Sequence, residues 1–171
     1  MVVWIIGLSG AGKTTLSNEI ASELAKQKKH VILIDGDVVR EVFGNDLGHS
    51  IEDRRKNADR VCRLCKFLDD QGMDVVCAIL SLFEEHREWN RRTFENYFEI
   101  YIESPLDALV RRDPKGLYKR FAQGDITDVA GMDIDFEIPV NAHLVIDNSH
   151  SRAALLEHAK TIADKILAES I

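Results

Sequence analysis

The chain has 171 residues, 45% of them hydrophobic, which suits one domain with a sizeable apolar core. A formal charge of −7 argues against a nucleic-acid binder that works by bulk electrostatics, so an anionic ligand must be held by a local cationic site. No apolar stretch approaches the roughly 18 to 20 residues of a membrane span, and three cysteines make no disulfide framework; with a strand pattern starting at residue 2 and leaving no room for a leader peptide, the expectation is a cytoplasmic protein without nucleic-acid or membrane partners.

Val2 to Ile6 is a continuous apolar run of buried-strand type. Gly7-Leu8-Ser9-Gly10-Ala11-Gly12-Lys13-Thr14 follows at once, and helical apolar spacing begins at Lys13 and continues to about residue 28 (Leu16, Ile20, Leu24). Strand, G-x-x-x-x-G-K-[ST] loop and helix form the phosphate-cradling P-loop context. The glycines let successive N–H groups point into one concavity. The helix opening adds unpaired N–H groups and the positive end of its dipole. Lys13 is suited to the β- and γ-phosphates of a nucleotide and the Thr14 hydroxyl to a magnesium position.

A second strand over 30–34 delivers Asp35-Gly36-Asp37. Its apolar letters throughout predict burial on both faces. A helix over 37–43 carries Arg40, and one over 52–71 opens with Arg54, Arg55, Lys56 and Arg60. Cys62 and Cys65 read as small core residues on the apolar face of that helix, because zinc would need a second ligand pair that is absent. A third strand over 74–80 delivers Ser81, a helix follows over 84–95, and a fourth strand over 97–102 delivers Glu103-Ser104. After a helix over 105–111, residues 112–142 mix charges, glycines and prolines without periodicity, which predicts a lid. A strand over 143–147 and a helix over 151–169 close the chain. The alternation implies a single α/β domain: a P-loop NTPase-type three-layer sandwich with a five-stranded parallel sheet.

In such sheets ligands sit beyond the carboxyl ends of the strands. Strand three ends without an acid, so Asp35 and Asp37 are the carboxylates best placed for chemistry. One suits magnesium, together with Thr14, and the other suits the proton of an attacking hydroxyl. Asp37 as a plain helix cap is the competing reading. Arginines and lysines after the strand ends, Arg111, Arg112, Lys115, Lys119 and Arg120 among them, suit phosphate or sulfate oxygens. No histidine is placed to activate Ser81, which favours a positioning hydroxyl over a covalent intermediate. His49 stands alone and receives no catalytic role. No N-K-x-D motif is present, so ATP is expected over GTP.

With these residues assembled, the chain resembles the adenylyl-sulfate kinase family of P-loop nucleotide kinases from Ile6 to about Asp147. Leu33-Ile-Asp-Gly-Asp-Val-Val-Arg40 is similar to the family segment L-D-G-D-x-x-R, and Asp46-Leu-Gly-His-Ser50 with Asp53, Arg54 and Asn57 to D-L-G-F-S…D-R-x-x-N. Arg112-Asp-Pro-Lys-Gly-Leu-Tyr118 matches the lid motif, a far more specific string than the P-loop.

The resemblance implies transfer of the ATP γ-phosphate to the ribose 3′-hydroxyl of adenylyl sulfate, with ATP and Mg²⁺ as cofactors. Gly7, Leu8, Ser9, Gly10, Ala11, Gly12, Lys13, Thr14, Thr15 and Arg112 would bind ATP, and Thr14 and Asp35 the metal. Asp37, Arg40, Arg54, Asn57, Ser81 and Lys115 would hold the acceptor nucleotide. Lys13, Asp35, Asp37 and Ser81 are the catalytic candidates, Ser81 being where the family is often assigned a phosphoserine.

Four departures stand out. His49 replaces a Phe, Val129 replaces another where the family's F-T-G-I appears as Val129-Ala130-Gly131-Met132, Asp59-Arg60 replaces an arginine pair, and Leu80-Ser81-Leu82 replaces I-S-P. The two missing rings sandwich the substrate adenine in the family. A sibling kinase with a cytidine diphosphate acceptor, such as cytidine diphosphoramidate, is therefore an alternative substrate reading. A non-catalytic nucleotide switch is the alternative of another class. The acceptor base and the oligomeric state, a homodimer included, stay open at this point.

Overall fold

Apolar β-branched residues build the sheet. In a computed structural model, which describes residues 1–149 and 151–169, five strands form: β1 (Val2–Ile6), β2 (Ile32–Asp35), β3 (Val75–Ile79), β4 (Tyr97–Glu103) and β5 (Leu144–Asp147). All pairings are parallel, in the order β2-β3-β1-β4-β5. β1 is central, and its five residues are buried on both faces. Val3 and Ile5 point to one side, with α1 (Lys13–Lys26) and α7 (Arg152–Ala168), while Val2, Trp4 and Ile6 point to the other, with α2 (Gly36–Val42) and α3 (Ile51–Asp70). Each layer buries its own apolar stripe, which makes the fold a helix–sheet–helix sandwich.

The register positions the site. Ile6 lies beside Ile79 on β3 and Tyr101 on β4. The segments that leave β1 and β3 therefore start at one level on the same sheet edge. Gly12 caps α1 with φ 97° and offers no side-chain cap, so the first helical N–H groups stay open to a ligand. A Cβ here would meet Leu155 Cδ2 at 2.6 Å; glycine is required by both conformation and space.

Two sequence expectations change. β2 is an edge strand, with Ile32 38% and Leu33 41% exposed; apolar composition does not distinguish an edge from a buried position. Residues 112–142 also contain a short helix, α6 (Leu117–Ala122). Its start is organised by Asp113, whose carboxylate accepts from the Tyr118 and Lys119 N–H groups at 3.2 and 2.9 Å. The helix was hidden in the sequence because one and a half turns leave no periodic signal. Tyr118 is buried, and its hydroxyl donates to the Ser9 carbonyl at 3.0 Å, so this segment is docked on the P-loop. α4 (Glu84–Thr93) and α5 (Leu106–Arg112) complete the elements. The C-x-x-C pair is core: Cys62 and Cys65 are buried, and burial pushes the Cys62 thiol well above its ordinary range.

Candidate active site

One cavity of about 750 Å³ opens at the carboxyl edge of the sheet. Its wall brings together Lys13, Thr14 and Thr15 from α1, Asp35 and Asp37 from the end of β2, Arg40 from α2, Arg54 and Asn57 from α3, Ser81 after β3, and Lys115 and Arg120 from the 112–142 segment.

At the P-loop end, Lys13 Nζ donates to the Gly7 and Leu8 carbonyls at 2.8 and 3.0 Å. The Thr14 hydroxyl donates to Asp35 Oδ2 at 2.8 Å, and the Asp37 N–H donates to Asp35 Oδ1 at 2.9 Å. Asp35, not Asp37, is therefore the cap of α2, which leaves the Asp37 carboxylate free for the cavity. There it pairs with Lys115. Burial alone would push Asp37 up, but the Lys115 bond and the charges of Lys115, Lys13 and Arg40 hold its carboxyl below the ordinary range. Burial also brings Lys13 down to about 8, against the pull of Asp37 and Asp35.

The opposite end is lined by arginines used as clamps. Arg40 Nη1 donates to the Gly48 carbonyl at 2.7 Å, Arg54 Nε to the His49 carbonyl at 2.7 Å, and Arg54 Nη2 to the Asp128 carbonyl at 2.6 Å. They tie the 45–50 loop and the 128–131 turn to α2 and α3. The cavity wall includes His49, one of the two positions where the sequence departs from paired rings; the other, Val129, is buried in the core beside the wall residue Ala130. Burial, then Arg54 and Arg40, push His49 below its ordinary pKa. Asn57 is buried; its Nδ2 donates to the Gly36 carbonyl at 3.3 Å, while its Oδ1 is buried without a partner. A buried orphan acceptor costs free energy until a donor arrives, and Asn57 lines the cavity, from which a ligand's donor can reach it.

Some candidates fall outside the wall. Gly7 and Ala11 stand behind it, Ala11 being fully buried. Leu8 lines a separate cavity of about 530 Å³ with Tyr101, Glu103 and Met132. Arg112 donates to the Asn148 carbonyl at 2.8 Å. Arg55, Lys56, Arg60 and Arg111 form ion pairs with Glu85, Glu52, Asp46 and Asp107, the ordinary use of exposed charge. Two contributors were missed. Phe83 lines the cavity beneath the Arg55 guanidinium, 4.2 Å from the ring centroid. Asn148 donates from Nδ2 to the Ala11 carbonyl at 2.8 Å and braces the P-loop; its position directly after β5 was the available signal.

A cradle of open N–H groups, a lysine, a hydroxyl–carboxylate pair and a second, arginine-rich lobe can hold a nucleoside triphosphate beside a second anionic substrate. Thr14 and Asp35 fit a magnesium ion, which binds through one or two protein oxygens plus phosphate, and among the described residues no larger ligand cluster competes for it.

Comparison with known proteins places the chain among nucleotide kinases. The family model described as adenylylsulphate kinase matches residues 1–147. A cytidine diphosphoramidate kinase of Campylobacter jejuni is 40% identical over 168 residues, covering 96% of this chain and 95% of that one. A probable adenylyl-sulfate kinase of Bacillus subtilis is 41% identical over 156 residues, covering 90% and 79%. The structure of the Mycobacterium tuberculosis APS kinase CysC in complex with AMPPNP and APS superposes with a TM-score of 0.87 at 32% identity, covering 97% and 96%. A P-loop cradle, a β2 aspartate pair and a match over nearly the full length lead to one conclusion: the chain belongs to the adenylylsulphate kinase family.

Proposed function

We propose that the protein is an ATP-dependent kinase that transfers the γ-phosphate to the ribose 3′-hydroxyl of an activated nucleotide. The carrying observation is the single cavity in which Lys13 and Thr14 face Asp37, Arg40, Arg54 and Asn57. Lys13 turns from the Gly7 and Leu8 carbonyls to the β- and γ-phosphates, which offer it a stronger acceptor. Thr14 and Asp35 hold magnesium, which when bound neutralises charge developing on the phosphate oxygens. Asp37, kept ionised by Lys115, accepts the hydrogen bond of the attacking hydroxyl and orients it. Arg40 and Arg54 face the anionic tail of the acceptor, and Lys115 stands between the two substrates.

Two acceptors suit this site. His49 and Val129, in place of two Phe rings, favour a small pyrimidine base over a purine. The Val129 side chain has no ring to stack, a loss of about 1–3 kcal/mol of base stacking, and the His49 imidazole offers a smaller face than a phenyl ring. A cytidine diphosphate derivative such as cytidine diphosphoramidate is thus our first reading and adenylyl sulfate the second. A coupled assay for ADP release decides between them. Turnover is expected with the cytidine compound at a kcat/KM at least tenfold above that for adenylyl sulfate. The reverse order selects the second reading, and no turnover with any nucleotide acceptor leaves a nucleotide-binding switch.

Lys13 gives this site a pH signature. In the free protein Lys13 loses its proton near pH 8. A bound triphosphate favours the charged lysine and raises that value, so binding takes up a proton above about pH 8. Affinity for ATP should then fall as pH rises from 8, by up to about tenfold per unit while the coupling lasts. Calorimetry in buffers of different ionisation heat reads the proton directly; a pH-independent affinity between 7 and 9.5 contradicts it.

A further inference from the structure

Ser81 is a hydroxyl residue in the cavity wall, 5% exposed, with a backbone φ of 53°. That conformation is unusual for a non-glycine residue and persists only where neighbours over-determine it. Here the neighbours are visible. The Arg87 side chain, fully buried, donates from Nη1 to the Ser81 carbonyl at 2.5 Å. Arg87 is itself fixed by Nε to Glu84 Oε2 at 2.6 Å. Glu84 also pairs with Arg91, which reaches the buried carboxylate of Glu99. Nothing in the proposed reaction uses this buried arginine.

The side chain of Ser81 is fixed from the other direction. The Trp4 indole, buried in central strand β1, donates from Nε1 to Ser81 Oγ at 3.1 Å. An indole N–H only donates, whereas a serine hydroxyl has one proton to give and two lone pairs to receive. Trp4 therefore occupies a lone pair and leaves the Ser81 proton unused. Among the described residues that proton has no acceptor, and the open side of Ser81 is the cavity.

We propose that Trp4 and Arg87 are positioning residues that fix Ser81 as a hydrogen-bond donor to the acceptor nucleotide, Arg87 through the backbone and Trp4 through the hydroxyl oxygen. This rests on the reading of the cavity as the acceptor site. The role is one of aim: the oxygen is engaged by the indole, the proton is directed at the ligand, and no covalent serine intermediate is involved. A deleted donor should appear in the acceptor's KM, with ATP binding unchanged.

The test combines spectroscopy with kinetics. The chain has two tryptophans, so an indole N–H spectrum of ¹⁵N-labelled protein holds two signals, and Trp4→Phe identifies the Trp4 one. Ser81→Ala should shift the Trp4 signal and speed its hydrogen exchange at least tenfold; Arg87→Lys should shift it too. In the ADP-release assay, Ser81→Ala and Trp4→Phe should each raise acceptor KM about tenfold while kcat and ATP affinity stay within threefold, and the double variant should match Ser81→Ala alone, since the two act through one hydroxyl. Thermal melts exclude unfolding, and Ser81→Ala, the mildest change, carries the test if a buried substitution fails to fold. An unmoved Trp4 signal in Ser81→Ala, or additive KM effects in the double variant, overturns the proposal. Absence of turnover in the unmodified protein instead overturns the kinase reading, and the indole signal still reports the Ser81 geometry.

Discussion

Replacing Lys13 with Ala should reduce turnover below detection, a loss of at least about 10³-fold. Removing a single oriented donor from a developing oxyanion typically costs about 10²–10³-fold, and Lys13 contributes a full charge as well. Its Nζ already rests 2.8 and 3.0 Å from two P-loop carbonyls, one rotation from the phosphates, so the side chain needs no rearrangement of the loop to act. Truncation leaves those carbonyls short of a donor, and Lys13→Met, which retains the stem, separates that structural cost from the loss of charge. Both variants should melt within a few degrees of the parent, bind ATP more weakly and release no ADP above background. Near-parental turnover in either would remove the P-loop from the chemistry.

Asp37→Asn should be nearly as damaging, for a different reason. The change keeps the size of the side chain, and the cap of α2 is untouched because Asp35 provides it through the Asp37 backbone N–H. What is lost, in the proposed reaction, is an ionised acceptor for the attacking hydroxyl. Positioned acid–base groups contribute about 10²–10⁴-fold, and the full range applies here because Lys115 loses its ion partner in the same step. Turnover should fall by that factor. ATP affinity should hold or rise, since a negative charge beside Lys13 has been removed. A variant that turns over within threefold of the parent shows that the acceptor hydroxyl is oriented by another group.

The parts of this arrangement legible in the sequence share a property: each depends on neighbours along the chain. Gly7 to Thr14 can be read because strand, loop and helix are contiguous. Asp35 and Asp37 can be read because they end a strand. The strand ends alone indicated Ser81. Relations across the sheet were hidden. Nothing in the sequence joins Trp4 to Ser81 or Asn148 to Ala11, and both contacts come from strand order. The assignment of the α2 cap to Asp35 and not Asp37 depends on a rotamer, which spacing cannot reveal. β2 looked doubly buried because Ile32 and Leu33 carry the same letters as a central strand, while the topology leaves them at the rim. The arginines divided in the same way: their number near the strand ends is visible in the sequence, and only geometry separated Arg40 and Arg54, which clamp loops at the cavity, from Arg55 and Arg111, which hold surface partners.

The two oxygens of Asp35 serve different masters. One secures the start of α2; the other meets the Thr14 hydroxyl on α1. A single carboxyl plane thus joins the helix that opens at the P-loop to the helix that carries Asp37 and Arg40. Any tilt of that carboxyl plane is therefore shared by the two helices that frame opposite sides of the cavity.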